Sequence, residues 1–105
     1  MELQELEDKI QSSDALLIYF SGANCNVCKA LQPKLLAAFK DNYPLIEQLS
    51  LEVEQNPEIS AQFGVFAVPT VIIYFDGKEV QRKARNISVD GLLQDIQRPY
   101  SLFFD

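Results

Sequence analysis

The chain has no histidine and no tryptophan, only one methionine and two cysteines, and no apolar run long enough to cross a bilayer. The absence of histidine excludes Ser/His/Asp and Cys/His catalysis, histidine-ligated metals and the commonest general base. The longest apolar runs, 15–20 and 71–75, have the length of strands, whereas a membrane span needs about 20 residues. Two cysteines are also too few for the disulfide scaffold of a small secreted protein.

Positive charge is scarce as well: nine Lys and Arg residues stand against fifteen Asp and Glu, which leaves a net charge of −6. This balance repels phosphate backbones and anionic lipid headgroups, so we expect neither nucleic acid nor a membrane as a partner. Residues 1–8 are acidic where a secretory signal needs a basic flank, which favours a cytoplasmic location. We interpret the acidic runs at 2–8 and 52–54 as solvated faces.

The length of 105 residues is typical of one domain, and we interpret residues 1–105 as a single unit. Hydrophobic residues make up 48% of the chain, enough for a core that needs no metal or disulfide to fold. The two cysteines are therefore free for chemistry.

Hydrophobic periodicity predicts eight elements in the order helix, strand, helix, strand, helix, strand, strand, helix. The helices are predicted at 2–12, at 26–40, at 57–63 behind an Asn56 cap, and from a Ser88 cap to a stop at Arg98-Pro99. The strands are predicted at 16–20, 45–54, 70–75 and 78–84, with a hairpin turn at 76–77. Residues 98–105 remain as an aromatic tail that packs back onto the domain or forms a docking surface. The order predicts an α/β fold with a central mixed sheet of about four strands flanked by helices.

The two cysteines form the sequence Cys25-Asn26-Val27-Cys28, at the point where a buried strand ends and a helix begins. A helix N-terminus presents unpaired backbone N–H groups and the positive end of the macrodipole, and both favour a thiolate. Cys25 is therefore predicted to be the nucleophile. Cys28 lies about one turn further on, close enough to attack a mixed disulfide on Cys25 yet less exposed, and is predicted to be the resolving cysteine.

The residues alone leave other interpretations of this pair open. In one interpretation, the cysteines are a redox-silent pair kept for packing. In another, they are metal ligands. One CxxC supplies only two of the four ligands of a closed zinc site, so a metal or cluster requires a dimer. A copper-binding CxxC is a further alternative, although Met1 is the only methionine.

Several short segments accompany the CxxC along the chain. They are Lys29, Pro33, Gln55-Asn56-Pro57, Phe63-Gly64-Val65, Val68-Pro69-Thr70 and Phe75-Asp76-Gly77-Lys78-Glu79. Through these segments together the chain resembles the thioredoxin-like family over almost its whole length.

The resemblance implies the thioredoxin fold in its shorter form, without the extra first strand. It also implies a thiol–disulfide oxidoreductase that reduces protein disulfides, with the Cys25–Cys28 disulfide as its redox-active group and no other cofactor. A reductase or a low-molecular-weight thiol is the implied electron donor, and we expect a monomer. The family pattern further implies that Pro69 is cis, and that Val68 and Thr70 beside it hold an extended peptide by strand addition.

The chain departs from the family pattern on the substrate-facing surface. Asn24 stands where a tryptophan usually precedes the first cysteine, and 26–27 replace the usual Gly-Pro. Phe66, three residues before Pro69, is either an exposed substrate contact or part of the core. We expect the substrate surface, including Asn24, to differ from that of the family.

Three further departures concern charge. Tyr19 stands where the family usually has a buried acid, and Ser50 stands where it has the lysine partner of that acid. We therefore expect Cys28 to resolve a mixed disulfide more slowly. Tyr19 itself is expected to be a buried strand residue whose hydroxyl has a hydrogen-bond partner. Arg85 stands where the family commonly has a glycine, in the loop facing the cysteines. Its bulk and charge are expected to narrow the substrate groove or to select acidic partners. The competing hypothesis is a non-catalytic thioredoxin-fold module that binds a partner through the same groove.

Overall fold

The computed structural model describes residues 1–105 and contains four helices, four strands and one short 3₁₀ turn. The helices are α1 (Leu3–Ser12), α2 (Asn26–Asn42), α3 (Pro57–Gln62) and α4 (Val89–Phe104). The strands are β1 (Ala15–Ser21), β2 (Glu47–Glu52), β3 (Thr70–Phe75) and β4 (Lys78–Ala84), and the 3₁₀ turn Val53–Gln55 comes after β2. The predicted order of helices and strands is therefore confirmed.

The four strands form one mixed sheet in the order β2-β1-β3-β4. β1 runs parallel to β2 and antiparallel to β3, and β3 pairs antiparallel with β4. Asp76 (φ 54°) and Gly77 (φ 76°) both adopt the left-handed conformation that a two-residue hairpin needs, because its twist then matches that of the strands. The mixed four-stranded sheet that the sequence predicts is thus confirmed.

Helices cover the sheet on both faces, and alternate residues of β1 enter two separate hydrophobic clusters. Leu17 and Tyr19 belong to the cluster that includes residues of α2 and α4. Leu16 and Ile18 belong to the cluster that includes residues of α1 and α3. Every residue from Ala15 to Phe20 is buried, as an apolar strand between two layers requires.

The structure corrects the predicted region around β2. The strand is shorter than the predicted 45–54, because the backbone turns into a 3₁₀ conformation at Val53. Asn56 is the N-cap residue of α3, as predicted, but its side chain makes no capping bond: its Nδ2 donates to the Glu52 carbonyl (2.9 Å), and its Oδ1 accepts from the Met1 ammonium (3.0 Å). The amide therefore joins the end of β2 to the chain's first residue.

The predicted helix stop at Arg98-Pro99 is wrong, whereas the expected packing of the aromatic segment 98–105 back onto the domain is confirmed. α4 continues through Pro99 to Phe104. Proline removes one backbone hydrogen bond from a helix, but the apolar face of α4 extends beyond it and packs on the core. The Tyr100 ring centroid lies 4.7 Å from that of Tyr43 and 4.8 Å from that of Phe104. Neither α4 nor any other helix has the length and apolar character of a membrane span.

The last turn of α4 offers a direct test of this packing. We expect Phe104→Ala to lower the free energy of unfolding by about 1–3 kcal/mol, because the Phe104 ring contacts the core. Leu102→Ala is the matched control, since Leu102 is 69% exposed and should change stability by less than about 0.5 kcal/mol. Urea unfolding measures both; equal effects would show that the last turn does not stabilise the core.

Candidate active site

The topology brings the residues of interest to one edge of the sheet. β1 and β2 end at this edge, β3 begins there, and β4 ends there, because β1 is parallel to β2 and antiparallel to β3. The segments adjoining these strand ends are 22–25, 53–56, 65–69 and 85–88. Loops that are remote in sequence thus surround the CxxC at the start of α2.

Cys25 and Cys28 form a disulfide, with their Cα atoms 5.2 Å apart. Cys25 occupies the N-cap position of α2, where the Cys28 backbone N–H donates a hydrogen bond to Cys25 Sγ over 3.1 Å. Cys25 is half-buried, whereas Cys28 is 0% exposed. The sulfur at the mouth of the helix is therefore the one that a substrate can reach.

This arrangement suits dithiol–disulfide chemistry. An N-cap side chain normally supplies an oxygen to the free N–H groups of the first turn, and here a sulfur takes that place. The same donor and the helix macrodipole favour negative charge on Cys25 once the disulfide is reduced. Cys28 lies behind it, within the distance at which the two sulfurs can bond.

The loop that precedes β3 lies beside Cys25, and its residues have different tasks. The Val68–Pro69 peptide bond is cis, and the Pro69 carbonyl accepts a hydrogen bond from the Arg85 N–H over 2.8 Å. Thr70 is 2% exposed, is paired in β3 with both neighbouring strands, and its hydroxyl donates to the Ala67 carbonyl (2.6 Å). The Thr70 hydroxyl is therefore engaged within the fold, and the expected contact of Thr70 with a peptide stays a prediction.

Val68 is the residue of this loop that remains available to a partner. Its backbone N–H and C=O make no hydrogen bond within the chain, and its side chain is half-buried. Such unpaired groups next to a reactive residue are what an added strand pairs with. Within the segment Val68-Pro69-Thr70, Val68 alone has both a free N–H and a free C=O.

Gly22 lets these segments approach one another. A Cβ atom at this position would lie 3.3 Å from Val68 Cγ2, 3.4 Å from Glu54 Oε2 and 3.6 Å from Cys25 Cβ. A side chain at this position would require the Val68 side chain to shift by a few tenths of an ångström. The absence of a side chain at Gly22 thus keeps Val68 next to Cys25.

Glu54 is a residue of this site that the sequence pattern does not single out. Its Oε1 accepts a hydrogen bond from the Ala23 N–H over 3.1 Å, so the carboxylate supports the turn that leads to Cys25. The acidic run 52–54 indicates a solvated face, and Glu54 is indeed exposed. The parallel pairing of β1 with β2 is the signal that could have found it, since that pairing places the residues after β2 beside the residues after β1.

Tyr19 and Ser50 occupy neighbouring strand positions, opposite each other on β1 and β2. Tyr19 is fully buried and its hydroxyl donates to the Cys28 carbonyl over 2.8 Å. Burial raises the pKa of Tyr19 above its ordinary value of 10.0, so the phenol stays neutral and cannot accept a proton at physiological pH. Ser50 is exposed and accepts a hydrogen bond from the Gln32 amide (3.0 Å).

Two apolar side chains and one amide of the CxxC and its adjoining segments face solvent. Phe66 is 87% exposed and Val27 is 63% exposed, while Asn24 is also exposed. The structure thereby decides the open question about Phe66, which is on the surface and not in the core. No group of three or more His, Cys, Asp and Glu side chains is placed to hold a metal ion.

Comparisons with known proteins agree with this geometry. A family model described as Thioredoxin matches residues 1–98. The chain belongs to the thioredoxin family. It is 32% identical to the thioredoxin-like protein YdfQ of Bacillus subtilis, over 96% of this chain and 89% of that one. It is 34% identical to the thioredoxin of Chlamydia muridarum, over 83% of this chain and 84% of that one.

The solved structure of thioredoxin 1 from Thermosipho africanus matches with a TM-score of 0.77 at 36% identity. The match covers 86% of this chain and 99% of that one. The family, these neighbours and the CxxC pair together make the protein a thiol–disulfide oxidoreductase, in agreement with the resemblance. Thioredoxins work through a redox-active disulfide, and Cys25–Cys28 is the disulfide of this chain.

The Tyr19 hydroxyl should hold Cys28 in place rather than move its proton. We expect Tyr19→Phe to lower the free energy of unfolding by about 0.5–1.5 kcal/mol, because the buried Cys28 carbonyl then loses the hydrogen bond from the phenol. It should also raise the alkylation rate of Cys28 in a Cys25→Ser background. Tyr43→Phe is the matched control, since the Tyr43 hydroxyl binds the Leu93 carbonyl elsewhere. If both variants leave Cys28 reactivity unchanged, this role of Tyr19 is wrong.

Proposed function

We propose that this protein reduces disulfide bonds of protein substrates, with Cys25 as the attacking cysteine and Cys28 as the resolving one. The observation that carries the proposal is the hydrogen bond from the Cys28 N–H to Cys25 Sγ at the start of α2. The bond brings a donor that favours the thiolate to Cys25, which is partly exposed. Cys28 lies behind it and is buried.

The reaction proceeds in two exchanges. The Cys25 thiolate attacks one sulfur of the substrate disulfide, a Cys25–substrate disulfide forms, and the other substrate sulfur leaves as a thiolate that takes a proton from water. Cys28 then loses its proton and attacks Cys25 Sγ, which releases the second substrate thiolate and leaves the Cys25–Cys28 disulfide. Two electrons pass from the protein to the substrate. A reductase or a low-molecular-weight thiol returns them.

The proton of Cys28 has no carboxylate to receive it on the neighbouring strand. Tyr19 occupies that position as a neutral phenol that already donates to the Cys28 carbonyl. We therefore propose that the proton passes to water at the mouth of the site, and that Cys28 resolves a mixed disulfide more slowly than a site with a buried carboxylate does.

The substrate segment is held as an added strand at Val68. The free N–H and C=O of Val68 supply two backbone hydrogen bonds, and Pro69 fills the position next to them. We propose that the exposed side chains of Phe66, Val27 and Asn24 contact the substrate's side chains. We further propose that the protein acts as a monomer in the cytoplasm, where the pair is kept reduced between turnovers.

The assignment of the two sulfurs predicts which variant traps a substrate. We expect Cys28→Ser to accumulate a mixed disulfide with a disulfide-linked peptide, because the attacking sulfur remains and nothing releases it. Cys25→Ser is the control and should form none, since its remaining sulfur is buried. Intact mass spectrometry measures both. An adduct on Cys25→Ser alone would reverse the roles, and none on either variant would favour a non-catalytic binding module.

The helix N-terminus predicts the pH dependence of Cys25. In reduced Cys28→Ser, we expect the rate of alkylation by iodoacetamide to rise with pH to a midpoint below about 8.5, the ordinary pKa of a free thiol. The same variant unfolded in urea is the matched control, because it has the thiol without the helix. Identical midpoints in the two states would count against activation by α2.

A further inference from the structure

A shallow groove opens beside the CxxC, on the side of the loop that joins β4 to α4. Its volume is about 410 Å³. Its lining residues come from α2 and from that loop: Val27, Leu31, Arg85, Asn86, Ile87 and Ser88. The groove is therefore apolar on its α2 side, and Arg85 is its only charged residue.

Arg85 is held in an unfavourable backbone conformation. Its φ of +66° lies in the left-handed region, where a glycine would be unstrained and an arginine is not. Its N–H is fixed by the hydrogen bond to the Pro69 carbonyl over 2.8 Å. A glycine at this position would therefore be less strained. A strained residue beside a reactive site points to a use for its side chain.

The Arg85 side chain has no partner within the chain. Neighbouring cations on β4 are engaged: Arg82 pairs with Glu79 over 2.9 Å, and Lys83 pairs with Asp95 over 3.5 Å. The Arg85 guanidinium makes neither an ion pair nor a hydrogen bond. In a chain of net charge −6, it is an unpaired positive charge in the groove that Val27 of the CxxC also lines.

We infer that the groove binds an acidic segment of the substrate protein, with a substrate carboxylate paired to Arg85. This rests on the proposed function. A strand added at Val68 passes Arg85, because the hydrogen bond to Pro69 places Arg85 one residue from the free groups of Val68. The planar guanidinium suits a carboxylate, and Val27, Leu31 and Ile87 accept an apolar neighbour of that carboxylate.

The test compares two peptides that carry the same disulfide, one flanked by glutamates and the other by lysines. We expect the unmodified protein to reduce the acidic peptide about two- to fivefold faster in kcat/KM, as a surface ion pair allows. Arg85→Glu should reverse this preference, and Arg85→Lys should keep its direction. The preference should also shrink at high salt, because screening weakens an exposed pair.

Lys78→Glu is the matched control, since it changes the net charge equally. Lys78 starts β4 at the hairpin end, seven residues and about 23 Å of strand away from Arg85. Thermal unfolding of each variant confirms that it is folded. Equal rates on both peptides, or the same effect from Lys78→Glu as from Arg85→Glu, would overturn the inference. Reduction of either peptide by Cys25→Ser would instead overturn the proposed function.

Discussion

The hydrogen bond between the Cys28 N–H and Cys25 Sγ is the interaction on which the rest of the site depends. It requires a helix whose N-cap is Cys25, and that helix follows a central strand that ends at Ser21. Because β1 is buried on both faces, the core holds its end in place, and the sulfur lies where segments adjoining the three other strands converge at one edge of the sheet. The rigid sheet thus positions a reactive group that lies in a turn.

The surrounding contacts leave a small number of polar groups unused, and these define what the site can bind. Thr70 and the Pro69 carbonyl are engaged within the fold, while the backbone of Val68 and the side chain of Arg85 are not. A loop normally pairs its polar groups, so the unpaired ones beside Cys25 form the edge at which we propose that the substrate strand pairs. The close approach at Gly22 keeps this edge within reach of the sulfur.

Several elements are explained by local residue patterns alone. The apolar runs of β1 and β3, the Asp-Gly turn and the helix that opens at the cysteines all depend on neighbouring residues, and the structure agrees with them. The end of α4 does not follow from the local pattern. The stop signal of Pro99 is outweighed there by the packing of Tyr100 and Phe104 on residues far away in sequence. Tertiary contacts override local helix propensity wherever they are strong enough to oppose it.

By itself the sequence determined the fold class, the family likeness and the place of the reactive pair, because periodicity, turn residues and short motifs are local properties. Only the tertiary structure decided which groups surround that pair. Glu54 reaches the Ala23 N–H through strand pairing, Tyr19 meets the Cys28 carbonyl through helix packing, and Arg85 meets Pro69 through a loop contact. These are contacts between distant segments, and residue spacing along a chain carries no measure of their distance in space.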